Sequence, residues 1–142
     1  MNVMCLLTAC SGLGLLISLY FNLVYYGIIG PDQWFIPRVC RMEEGVCHYI
    51  IHTSEAKALG VPNFVLGIIY YCSLIMLNVI EIQKHELLYQ IVSALSVGVV
   101  LLGGYLTYAL LFKLRTNCVL CFTSHGLNFV IMILLIIRLL TN

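Results

Sequence analysis

Two cysteine pairs are the residues in this chain most able to do chemistry. Cys118 and Cys121 stand two residues apart in RTNCVLCFTSHGLNF (115–129), and Cys40 and Cys47 flank RMEEGV. A Cys-x-x-Cys pair reads as a metal site, a redox couple or chance. The redox reading has a physical basis, because the two sulfurs can close a disulfide and a helix N-terminus with nearby cations stabilises a thiolate. Cys118 is expected at the start of a helix, with Lys113 and Arg115 just before it. Arg38 and Arg41 bracket Cys40, and Gly45 lets the loop between Cys40 and Cys47 turn back on itself. Two such pairs on one face can relay electrons by thiol–disulfide exchange, which passes through a mixed disulfide. The loop pair would take electrons from outside, and Cys118/Cys121 would pass them inward.

An electron relay that ends in a membrane needs a lipid-soluble acceptor. His125 lies four positions after Cys121, on the same helix face, and Asn128 follows at seven. Asn63 opens another apolar segment at a similar depth. Polar groups at that depth are expensive, which favours a functional reading. A quinone carries two carbonyl oxygens that need donors, and Asn63 and His125 could supply them beside Cys121. The plainer alternative is an interfacial histidine and a first-turn asparagine bonded to backbone. Cys5, Cys10 and Cys72 lie inside apolar runs, where a cysteine is usually a small hydrophobe.

The elements that must position these residues are membrane elements. Of 142 residues, 62% are hydrophobic and 9% charged, and mean hydropathy is +1.04. A chain of this size has no interior large enough for that much apolar surface, so its solvent must be lipid. A net charge of +1 argues against nucleic acid as a partner. With no repeat or linker, a single domain over 1–142 is expected. A transmembrane helix needs about 20 mostly apolar residues, and the segments 3–29, 62–80, 87–112 and 118–140 qualify. LTAC (7–10) looks like a lipoprotein cleavage site. No Lys or Arg precedes it, however, and the apolar run continues, so the first segment is expected to be a retained helix.

With four spans, the long loop 30–61 and the short KLRTN turn (113–117) share one face, which brings both cysteine pairs together. EIQKHE (81–86) and both termini share the other. Within the loop, TSEAKALG (53–60) reads as a short helix, capped by Thr53 or Ser54 and ended by Gly60. Pro62 suits the first turn of the second span. Trp34, Tyr25 and Tyr26 suit an interfacial belt, and Gly98, Gly103 and Gly104 suit close helix packing. The expected fold is an all-α membrane protein: a four-transmembrane-helix bundle with a long loop and short helix capping the active-site mouth.

With these features in order, the chain resembles the vitamin K epoxide reductase family of membrane thiol oxidoreductases, in the manner of a prokaryotic stand-alone homologue. The resemblance rests on an ordered set over roughly 10–135. It runs from Cys40-x6-Cys47 through the Ser/Thr, Gly-x-Pro and Gly of HTSEAKALGVPNFVLG (52–67) to CVLC (118–121). It implies that Cys40 exchanges with a thioredoxin-like partner, that Cys47 forms the mixed disulfide with Cys118, and that Cys121 sits against the quinone. It places the family's loop Ser/Thr at Thr53, with Ser54 as the neighbouring alternative, and its quinone-binding Asn at Asn63. The position four after the last cysteine, a Tyr in some animal members, is His125. Many prokaryotic members carry a fused thioredoxin-like domain; this chain ends at Asn142, so a separate partner is expected.

The implied activity is quinone-dependent thiol oxidation in support of disulfide formation, with a ubiquinone, menaquinone or vitamin K type of acceptor. Reduction of vitamin K quinone or epoxide is the alternative within the family. Sidedness stays open. Arg38, Arg41, Lys57, Lys113 and Arg115 lie on the active-site face against Lys84 and Arg138 on the other, which points the site towards cytosol. Members that serve secreted proteins face outward. Either the basic residues serve thiolate chemistry, or the protein oxidises cytosolic substrates, as in hyperthermophiles. Outside redox chemistry, four cysteines on one face could hold a structural zinc, although the Cys40–Cys47 spacing is wide for it. A four-helix transport or packing module is a further reading, disfavoured by spans almost free of charge.

Overall fold

The computed structural model describes residues 3–30, 50–58, 60–79, 86–115 and 118–141. Among these, four long helices account for most of the chain: α1 (Val3–Tyr25), α2 (Asn63–Val79), α3 (Glu86–Tyr108) and α4 (Val119–Thr141). Three stretches, Val3–Tyr25, Leu87–Lys113 and Val119–Thr141, are long and apolar enough to cross a bilayer; α2, with 17 residues, is shorter. Leu16, Leu101, Phe112 and Leu140 are among many large apolar side chains that point outward. Such a surface is an aggregation hazard in water and the natural exterior in lipid. The chain is an integral membrane protein.

Hydroxyls inside the helices turn back onto their own backbone. Ser11 donates to the Leu7 carbonyl at 2.8 Å, Ser96 to Val92 at 3.0 Å and Thr107 to Gly103 at 2.8 Å. Lipid offers them no water, and this local bond satisfies them without a partner helix.

The most extensive contacts run from α1 to α2, from α3 to α4 and from α1 to α4. Glycines make the first of these seams close. Gly14 lies against the ring of Tyr71 so tightly that any Cβ would overlap it. A Cβ on Gly67 would stand 2.7 Å from the Ser18 hydroxyl. Two buried clusters result. One joins Tyr20, Phe21, Val24, Phe64, Leu110 and Cys118 near the loop end. The other joins Leu7, Cys10, Tyr71, Leu74, Ile131 and Leu135 deeper in the bundle. Cys10 is thus a core residue, while Cys5 and Cys72 are exposed.

Several boundaries differ from expectation for local reasons. α1 stops at Tyr25 rather than running to 29. Gly27 adopts φ +68, and the Gly27 N–H bonds Val24 at 3.0 Å while the Ile28 N–H bonds Leu23 at 2.9 Å. That is a Schellman cap, which a glycine without a Cβ can make without strain. The segment 53–60 is not one short helix. Ser54–Ala56 makes a single 3₁₀ turn, followed by a minimal hairpin of β1 (Lys57–Ala58) against β2 (Val61–Pro62), with Lys57 opposite Pro62. Gly60, at φ +80, turns that hairpin instead of ending a helix. Pro62 belongs to β2 and directly precedes α2. At its far end α3 widens into a π-helical turn, Ala109–Lys113, closed by the Leu114 N–H onto the Ala109 carbonyl at 2.9 Å. Cys40, Cys47, Gly45, Arg38, Arg41, Trp34 and residues 81–85 lie outside the described residues.

Candidate active site

Cys118 is the N-cap of α4. Its carbonyl accepts the Phe122 N–H at 3.1 Å, and its Sγ accepts the Cys121 N–H at 3.4 Å. A sulfur in that position takes the role usually played by a Ser or Asp oxygen and faces the positive end of the helix. The residue is 2% exposed, packed with Ile50, Ile51, Phe64 and Leu110. The neighbouring cations have surroundings of their own. Lys113 Nζ pairs with Glu55 Oε1 at 3.2 Å, so its charge is answered by a carboxylate. Arg115 is exposed and takes the left-handed conformation at φ +51.

Beside Cys121 lies a cavity of about 230 Å³. Its walls come from all four helices, with Thr53, Glu55 and Ala56 contributing from the segment before α2. α4 presents Cys121, Ser124, His125 and Asn128 to it, a stripe at helical spacing. α3 contributes Val99, Leu102, Gly103 and Leu106, so most of the surface is apolar.

The polar groups in this lining fall into two sets. At the floor, Tyr71 donates its hydroxyl to Asn128 Oδ1 at 2.6 Å and lies 3.3 Å from Ser124 Oγ. Asn128 is therefore engaged in tying α2 to α4. Elsewhere in the lining, two buried atoms have no partner among the described residues: Asn63 Oδ1 and His125 Nδ1. Asn63 is held at its other end, Nδ2 donating to the Glu55 carbonyl at 3.3 Å. The His125 ring rests on Gly103, where an added Cβ would stand 2.9 Å from Nδ1. Buried polar atoms without partners are rare in native proteins and call for an explanation. A ligand with carbonyl or hydroxyl oxygens is one.

The structure thus gathers Cys121, Asn63, His125 and Thr53 around one cavity, with Cys118 at the helix start above it. Thr53 stands at the N-cap of the 3₁₀ turn but makes no side-chain cap bond; its hydroxyl donates to the Ile50 carbonyl at 2.7 Å. Ser54 is exposed, absent from the lining, and donates to Glu55 Oε2 at 3.0 Å. The Glu55 carboxyl is held below the ordinary carboxylate range, first by its own backbone N–H and then by Ser54 and Lys113. Sequence reasoning passes over Glu55, Tyr71 and the role of Gly103. Glu55 and Lys113 are 58 positions apart, and no local pattern joins them. The model of the Vitamin K epoxide reductase family matches residues 5–136, nearly the whole chain. No solved structure matches it.

Proposed function

The chain belongs to the vitamin K epoxide reductase family and is a membrane redox enzyme, and from that premise we propose that it relays electrons from a thioredoxin-like protein to a quinone. Cys40 and Cys47 receive them by thiol–disulfide exchange, with Cys47 forming the mixed disulfide with Cys118. The reduced Cys118/Cys121 pair then gives two electrons and two protons to the quinone, which leaves as quinol while the pair closes a disulfide. The net effect is a disulfide delivered to the partner. The frame is a single four-span domain, with α2 as the short fourth span. At 1.5 Å per residue α2 is roughly 25 Å long, near the lower limit for a crossing.

The observation that carries this reading is the shared wall. Cys121 opens onto the same apolar cavity as two polar atoms that lack partners among the described residues, Asn63 Oδ1 and His125 Nδ1. Apolar pockets with a few convergent polar groups are the usual form of small-molecule sites. Asn63 suits both oxidation states of the acceptor. Nδ2 retains a second N–H for a carbonyl oxygen, and Oδ1 can accept from a quinol hydroxyl. His125 adds a second polar pole on the face of Cys121. Thr53, bonded to Ile50, supports the segment that covers the cavity.

The test is quinone reduction by purified protein, driven by a small dithiol or by a reduced thioredoxin-like protein. Cys121→Ala and Cys118→Ala abolish turnover with either donor. Cys40→Ala blocks the protein donor and spares the dithiol. Full activity in Cys121→Ala would end the relay model.

A further inference from the structure

The groups around Glu55 form a small device that the relay itself does not require. Its backbone carbonyl accepts from Asn63 Nδ2 at 3.3 Å. One carboxylate oxygen accepts from Ser54 at 3.0 Å, and the other meets Lys113 Nζ at 3.2 Å. Lys113 is the last residue of the π-helical turn at the end of α3, and the buried Ala109 and Leu110 anchor that turn in the cavity wall. A π turn carries one residue more than an α turn and rotates the chain beyond it. Such turns recur at functional sites.

Asn63 explains what the device is for. A carboxamide can sit in either of two orientations. Reversing it here would set Oδ1 against the Glu55 carbonyl, oxygen against oxygen. The Glu55 backbone therefore decides which end of Asn63 is left for a ligand, and the Glu55 side chain decides where that backbone sits. We propose that Glu55 and Lys113 are positioning residues: their ion pair fastens the segment over the cavity to the end of α3 and so fixes the Asn63 amide for the quinone. This rests on reading Asn63 as a quinone contact.

The test measures equilibrium binding of menadione to the full-length protein in detergent, with its cysteines oxidised so that nothing turns over. Intrinsic fluorescence quenching gives Kd. Asn63→Ala, Glu55→Lys and Lys113→Glu are each expected to weaken binding about three- to five-fold, the upper range for an exposed ion pair. The double reversal, Glu55→Lys with Lys113→Glu, returns Kd to within about two-fold of wild type, and Glu55→Lys adds nothing in an Asn63→Ala background. The single charge reversals, Glu55→Lys and Lys113→Glu, also raise KM for quinone in the dithiol assay and leave kcat unchanged. If a charge reversal unfolds the protein, Glu55→Gln replaces it, with about two-fold weaker binding expected.

Wild-type Kd in the single reversals, together with weakened binding in Asn63→Ala, would overturn the positioning role and leave the quinone reading standing. So would failure of the double reversal to restore binding, or an undiminished effect of Glu55→Lys in the Asn63→Ala background. Unchanged binding in Asn63→Ala would overturn both.

Discussion

The sulfur of Cys118 caps α4 by accepting the backbone N–H of Cys121, at 3.4 Å. The two redox candidates are therefore joined through the first turn of a helix as well as through their shared chemistry. Cys118→Ser should keep the cap and lose the thiol, whereas Cys118→Ala should lose both. Both variants are expected to be inactive in dithiol-driven quinone reduction. Only Cys118→Ala is expected to lose cap stability, about 1 kcal/mol, seen as a lower thermal midpoint in detergent. Equal midpoints would show that the cap contributes nothing.

Gly103 makes room for His125, since a Cβ there would stand 2.9 Å from Nδ1. Gly103→Ala should displace the imidazole and raise KM for quinone about as much as His125→Ala does. With the ring gone, what remains of residue 125 is its Cβ, at 3.7 Å from the new methyl and in ordinary contact, so Gly103→Ala combined with His125→Ala should behave as His125→Ala alone. Additive effects on KM would separate the two residues.

Gly14 and Gly12 are close in sequence and opposite in surroundings. A Cβ at Gly14 would overlap the ring of Tyr71, which its bond to Asn128 holds in place, while nothing lies within 4 Å of one at Gly12. Gly14→Ala should destabilise the fold by about 1–3 kcal/mol, the usual range for overpacking. Gly12→Ala should leave the thermal midpoint unchanged or slightly raised. Comparable losses at both positions would argue against the α1–α2 seam.

The Glu55 carboxyl has its folded pKa lowered, first by its own backbone N–H and then by Ser54 and Lys113. A lowered folded value means stability that is present above the unfolded value, about 4.3 for Glu, and lost as pH falls through the folded one. The difference in thermal midpoint between wild type and Glu55→Gln should hold from neutral pH to about pH 5 and close in stronger acid. A difference that persists in strong acid would place its source outside the carboxylate.

Hydropathy locates the helices well because lipid imposes one rule, a continuous apolar run, that can be read residue by residue. The start of α4 at Cys118, and the sharing of one face by Cys121, His125 and Asn128, follow from the same local geometry. Features that depend on the meeting of distant segments are not legible in this way. Gly27 reads as the interior of a helix because the apolar run continues past it, although a glycine near a helix end is the mark of a Schellman cap. TSEAKALG carries helix-like ends, yet β1 and β2 pair across Gly60. The pairing of Lys113 with Glu55 gives this lysine a partner that no local pattern suggests, and only the three-dimensional arrangement reveals it.

The hydroxyls that bond back to their own helices, as in Ser11, Ser96 and Thr107, bear on how the protein is made. Each of these helices enters the bilayer with those groups already satisfied, so insertion needs no neighbour. Among the described residues, recognition between helices draws on cross-links such as Tyr70 with Ser96 and Tyr71 with Asn128, on the two apolar clusters and on the glycine seam of α1 with α2. Biogenesis divides accordingly into independent insertion followed by lateral assembly. The cavity beside Cys121 comes into existence only at the second stage.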